Sequence, residues 1–230
     1  MCGSTPSWER LQELSHDGGG DRSAAVYEMM LWHSGMRGST ITKNKPRAEQ
    51  LARRLLPWLQ SEARRRGESN QHAIFGLGIC HNFPIVLEKD DKQALKLYQR
   101  AEKQGHLIAR TYLGNFYFHG CGGVTADFKH STALYKSAAN GGFSEAQVEW
   151  GMSFEQLKKR KEAYTAYQMA ATQGNCQGQH NVGVCLYNAF GATRDKKEGV
   201  AWLQLAADQG YAPSMEFFED YDSSEDHDTG

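Results

Sequence analysis

The chain has 230 residues, with 26 Lys and Arg against 27 Asp and Glu for a formal net charge of −1. That balance gives no whole-molecule attraction to nucleic acid or to an anionic membrane, and the longest apolar runs are too short to span a bilayer. The start, from Met1 to Pro6, lacks the basic and apolar regions of a signal peptide, so the expected compartment is reducing: cytoplasmic or nuclear.

Residues 1–22 hold Gly18, Gly19 and Gly20 and no sustained period. They are expected to form a flexible amino-terminal segment, with at most a helical stub at Trp8–Leu14. Residues 23–67 read as a divergent capping hairpin, with one helix over Ser23–Met36 and a second over Pro46–Arg66. Pro57 lies inside the second, so that helix either kinks there or begins later. This hairpin carries Lys43, Lys45, Arg47, Arg53, Arg54, Arg64, Arg65 and Arg66 against Glu49 and Glu62. The favoured reading is a solvated face on a terminal repeat. The alternative is a basic patch at Arg53, Arg54, Arg64, Arg65 and Arg66 for RNA or an acidic peptide, although the aromatic interleaving of single-stranded binding is missing.

From residue 68 onward one pattern recurs. Leu77-Gly78, Leu113-Gly114, Trp150-Gly151 and Val182-Gly183 each follow a small residue by four positions: Ala73, Ala109, Ala146 and Gly178. Further along, Ala101, Ala138, Ala170 and Ala206 are each followed four residues later by Gly105, Gly142, Gly174 and Gly210. Regular spacing of this kind marks stacked supersecondary units. A large apolar residue followed by Gly within helix A admits a close neighbour, with the Ala of helix B expected as the matching small surface. Asp90, Asp127 and Asp195 occupy the position of helix B N-caps, and the four later glycines that of left-handed C-caps. One such hairpin is apolar over too much of its circumference to bury itself, so neighbours must stack on it.

The pattern Ala-x3-Leu-Gly-x2-Tyr, a glycine-containing loop, Asp-x2-Lys-x-Ala and Tyr-x-x-Ala-Ala-x-x-Gly resembles the Sel-1-like repeat, a relative of the tetratricopeptide repeat. The resemblance covers about 72–215 and is strongest in 107–143 and 176–211. It weakens in 144–175, which is several residues shorter, lacks the Gly-rich loop and has Lys159 where the capping Asp belongs. The fold it implies is all-α, a right-handed superhelical solenoid of about five hairpins. The array would occupy 68–219, divided at about 72–106, 107–143, 144–175 and 176–211 with a terminal helix over 212–219. Residues 220–230 complete an acidic stretch without Lys or Arg and read as a disordered tail.

The resemblance places function on the concave face lined by A helices. Carrying over the inward positions of tetratricopeptide arrays gives Phe75, Ile79 and Asn82; Thr111, Asn115 and Phe118; Val148, Met152 and Glu155; His180, Val184 and Tyr187. Apolar members of this set either meet a partner or pack between neighbouring A helices. An extended or helical peptide suits them, with Phe118 and Tyr187 as anchors. The carboxylate clamp of chaperone-binding arrays, which needs several inward Lys or Arg, is absent from these positions.

No catalytic constellation accompanies the array: there is no His-Glu-x-x-His, no Cys-x-x-Cys and no phosphate loop. His119 and Cys121 flank Gly120 at a spacing two metal ligands can use, without a further pair in sequence. The odd count of five cysteines, Cys2, Cys80, Cys121, Cys176 and Cys185, reads as reduced structural thiols. The expectation is a non-catalytic adaptor for a protein partner, with no metal, no cofactor and no nucleic acid. A regulatory subunit of an enzyme complex is the alternative.

Overall fold

The structure is a computed structural model that describes residues 21–34, 44–65 and 70–225. The expected stub at Trp8–Leu14, Met36, Arg66 and residues 226–230 lie outside these segments. Among the described residues there are eleven helices and no strand: α1 Arg22–Ser34, α2 Lys45–Arg64, α3 Gln71–Asn82, α4 Asp91–Lys103, α5 Leu107–His119, α6 Phe128–Asn140, α7 Ser144–Gln156, α8 Arg160–Thr172, α9 Cys176–Asn188, α10 Lys196–Asp208 and α11 Ala212–Glu225. Consecutive helices pack as five hairpins, with α1, α3, α5, α7 and α9 as A helices and their successors as B helices. The final helix α11 follows without a B helix and runs on to Glu225, past the expected end at 219.

The hairpins form two compact units, residues 21–143 and residues 144–225. The first unit's core joins Val26, Leu55, Leu59, Phe75, Ile79, Tyr98 and Phe116. Val148, Tyr167, Val182, Cys185 and Leu186 form the core of the second.

Local chemistry sets the helix ends. The carboxylates of Asp90, Asp127 and Asp195 each accept a hydrogen bond of 2.9 Å from the backbone N–H of Gln93, His130 and Glu198, satisfying donors that the first turn leaves unpaired. At the other end of the B helices, Gly105, Gly142, Gly174 and Gly210 take φ of +89°, +86°, +83° and +78°. A side chain there would strain the left-handed backbone that reverses the chain. The hairpin of α7 and α8 is the exception at its turn. Only Leu157, Lys158 and Lys159 connect the helices, Lys158 takes φ +59°, and Lys159 makes no side-chain cap bond.

The apolar-Gly step has a specific packing role. A Cβ placed on Gly78 would lie 2.6 Å from the Cε1 of Tyr98, and one on Gly114 would lie 2.6 Å from the Cε1 of Tyr135. Tyr167 crowds Gly151 in the same way, and Leu203 crowds Gly183. The glycine therefore receives the B-helix ring or Leu at this position, where alanine was expected as the matching surface. Close packing by one large side chain replaces a broad small-residue seam.

Pro57 does not delay α2, which is helical from Lys45 to Arg64 on both sides of it, with Asn44 capping the helix through Arg47 N–H at 3.1 Å. The end of α2 is held from outside the hairpin. The Arg100 guanidinium donates to the carbonyl of Ala63 and, at 2.6 Å, to that of Arg65, partnering carbonyls left open at the helix C-terminus.

Candidate interaction surface

The twelve inward positions fall into three registers on the A helices, and burial separates them. Three residues before the central Gly stand Phe75, Thr111 and Val148, which are 0%, 4% and 2% exposed; only His180 in this register is half-buried. Phe75 and Thr111 thus line no accessible surface, nor does Ile79, which is 0% exposed. Phe75 is sealed by rings from neighbouring helices: Tyr27 at 6.3 Å, Tyr98 at 5.9 Å, His106 at 4.5 Å and Tyr112 at 5.6 Å. The flanking hairpins have consumed that part of the A-helix face.

The register four residues after the Gly behaves differently. Asn82, Phe118, Glu155 and Tyr187 are all half-exposed, as are Asn115, Met152 and Val184 in the register next to the Gly. Among the twelve positions, the accessible ones concentrate in the C-terminal halves of α3, α5, α7 and α9.

In the first unit, Asn115 accepts a 2.6 Å hydrogen bond from the Tyr135 hydroxyl, so the ring that fills the Gly114 notch also orients the surface amide. Phe118 lies against Phe128 with ring centroids 5.3 Å apart and near Tyr135 at 6.5 Å. Asn82 donates to Asp91 at 3.2 Å, tying its amide to the first turn of α4.

In the second unit, Glu155 faces the Tyr167 hydroxyl, whose proton is held tightly by burial first and by this carboxylate second. Gln177 on α9 reaches the Met152 sulfur on α7 at 3.9 Å. Tyr187 stacks edge-on against Phe217 at 5.4 Å, and the Lys196 ammonium sits 5.1 Å from its ring centroid. His180 shares a 2.8 Å hydrogen bond with Ser214, packs against Tyr211 at 5.2 Å, and has its pKa lowered by burial. These are part-apolar platforms with polar groups already oriented by neighbouring helices.

Residue-type patterns alone missed Phe128, Gln177, Lys196 and Phe217 as supports, because each reaches the surface from a neighbouring helix. They also missed a polar knot in the first unit. The Tyr27 hydroxyl lies 2.7 Å from His72 Nδ1 and 3.1 Å from His106 Nε2, with the two ring nitrogens 3.2 Å apart. His106 is the N-cap of α5, its Nδ1 accepting from Ala109 N–H at 3.0 Å. That bond fixes Nε2 as the protonated nitrogen of the neutral ring. Burial pushes His106 down to about 3, and the neighbouring His72 adds to the effect. One signal was available in sequence: His106 follows Gly105 as the capping Asn175 follows Gly174.

In the basic first hairpin, Arg53, Arg54, Arg64 and Arg65 are exposed. Arg65 pairs with Glu62 at 3.0 Å. His119 and Cys121 are both exposed, and no group of three or more His, Cys, Asp or Glu among the described residues is arranged to hold a metal ion. Cys80, Cys121 and Cys185 are free thiols, with burial raising Cys80 to about 12. No described helix is long and apolar enough to cross a membrane.

The family model described as the Sel1 repeat matches residues 71–106, 107–143 and 176–211. Chitin synthase regulatory factor 3 of Schizosaccharomyces pombe is 25% identical over 173 residues, 71% of this chain and 18% of that protein. DAP3-binding cell death enhancer 1 of Mus musculus is 32% identical over 90 residues, 38% of this chain and again 18% of the other. The chain thus spans under a fifth of the length of these two relatives. Among solved structures, a Sel1 repeat protein from Oxalobacter formigenes superposes with a TM-score of 0.63 at 22% identity, covering 90% of this chain and 79% of that one. Two hairpins lie outside these matches: the amino-terminal one and 144–175, which has the three-residue turn and the uncapped helix. With hairpin packing, glycine notches and family match in agreement, the chain carries Sel1 repeats and folds as the all-α solenoid that they build.

Proposed function

We propose that this chain is a non-catalytic adaptor that binds a peptide or helix of a protein partner through the C-terminal halves of its A helices. Sel1-repeat proteins are protein-interaction scaffolds. The observation that carries the finer reading is the equivalent placement of Phe118 and Tyr187, each four residues after the central Gly, half-exposed and backed by a second aromatic ring. Rings held this way lose little conformational freedom on binding and serve well as anchors. Asn82, Asn115, Met152, Glu155 and Val184 supply the polar and apolar surroundings. The free thiols suit a reducing compartment, cytoplasmic or nuclear.

A Phe118→Ala/Tyr187→Ala variant with unchanged helical circular dichroism is expected to lose one stoichiometric partner that crosslinked intact chain retains from native lysate. Recovery of the same partners by both proteins would refute the surface. A second reading, a regulatory module of an enzyme complex, draws on the name of the fission-yeast relative, a chitin synthase regulatory factor. It requires that the recovered partner be an enzyme whose activity changes on addition of the intact chain.

A further inference from the structure

The near-zero net charge conceals two opposite halves. Residues 1–143 hold 19 Lys and Arg against 13 Asp and Glu, and residues 144–230 hold 7 against 14, giving +6 and −7. The excess is concentrated on one helix in each half. On α2, Arg53, Arg54, Pro57, Ser61 and Arg64 are all exposed, a spacing that puts them on one stripe about 16 Å long. The ion pairs described for this hairpin are Arg47–Glu28 and Arg65–Glu62, and Arg53, Arg54 and Arg64 belong to neither. On α11, Ala212, Met215, Glu216 and Glu219 form a second exposed stripe, at i, i+3, i+4 and i+7. Its Met215 is 46% exposed, one of three large exposed hydrophobics among the described residues. This helix contains no Lys or Arg.

We infer that α11 of one copy docks on α2 of a second copy, so that the chain self-associates. Charge complementarity selects this occupant: each copy carries both the basic stripe and the acidic one, and the two halves of the chain that bear them have nearly equal and opposite excess. Met215 sits against Pro57 and the aliphatic stem of Arg53, while Glu216 and Glu219 meet guanidinium groups of the stripe, a geometry in which Arg binds carboxylate in two-pronged fashion. Because the two surfaces differ, the contact is heterologous and either closes a ring or extends a chain of copies. One helix pair is a small interface, so association is weak, with a Kd of roughly 10–100 µM at low salt. It weakens as salt shortens the screening length.

The test is sedimentation of the full chain across that concentration range at about 0.05 M and about 0.5 M salt. The intact chain is run beside Arg53→Glu/Arg54→Glu/Arg64→Glu and Glu216→Lys/Glu219→Lys, each checked for unchanged helical content. The expected result is salt-sensitive association of the intact chain, loss of it in each variant alone, and its return when the two variants are mixed in equal amounts, since both cross-pairings then join opposite charges. A chain that stays monomeric throughout overturns the inference. So does association indifferent to both charge reversals, and so does binding of a fluorescent single-stranded RNA by α2 with no self-association.

Discussion

Two tyrosines in equivalent positions separate the cost of a buried hydroxyl from the value of a satisfied one. Tyr98 and Tyr135 both fill a glycine notch and both are 0% exposed, yet only Tyr135 has a partner, the Asn115 amide oxygen at 2.6 Å. Ile79 stands where Asn115 stands in the next repeat, and the Tyr98 hydroxyl is left without a hydrogen-bond partner. Tyr135→Phe is therefore expected to cost about 1 kcal/mol and Tyr98→Phe to be neutral or stabilising, since an orphaned buried hydroxyl carries its desolvation penalty. Urea unfolding of the two variants beside the parent measures both. The polar knot of Tyr27, His72 and His106 gives a second expectation, in pH. Burial lowers both histidines, so the fold favours their neutral forms. The stability they contribute is complete above the unfolded value of about 6.5 and is lost as pH falls toward the folded values. Asp21 faces the knot and works against the lowering at His72. Between pH 7 and 5 the loss from His106 amounts to up to roughly 2 kcal/mol. His106→Asn, which keeps an N-cap acceptor without a titrating ring, should flatten that slope in urea midpoints taken across the interval.

At the scale of the element, the α7–α8 hairpin shows what a missing cap does. Its turn forces Lys158 to φ +59° and puts Lys159 at a cap position where no side chain accepts a hydrogen bond. Lys159→Asp should raise stability by about 1 kcal/mol, as the caps at Asp127 and Asp195 do for their helices, read as a higher thermal midpoint with unchanged helical content. Caps, C-terminal glycines and the apolar-Gly step were legible in the sequence because each is a local rule: Asp127 needs only the N–H three residues on, and Gly142 only its own φ. The site was half legible. Asn115, Phe118, Met152, Glu155, Val184 and Tyr187 do reach the surface, whereas Phe75, Ile79 and Thr111 do not. The burial of Phe75 depends on rings from α1, α4 and α5 that no spacing rule places over it. Of the knot, only the capping position of His106 was legible, since its three members are 34 to 79 residues apart.

Across the whole molecule, stability in a solenoid comes from intrinsic hairpin terms and interfaces between neighbours, so no single central core bears the function. Each unit keeps its own core and its own stretch of accessible A-helix surface. The proposed binding role therefore uses repeated positions, Asn82, Phe118, Glu155 and Tyr187, which are half-exposed in both units while the register seven residues earlier is largely closed. The most direct test is hydrogen–deuterium exchange of the intact chain alone and with the partner recovered by pull-down. Added protection concentrated in the C-terminal halves of α3, α5, α7 and α9 is the predicted result. Protection confined to the B helices α4, α6, α8 and α10, with the A helices unchanged, would contradict it.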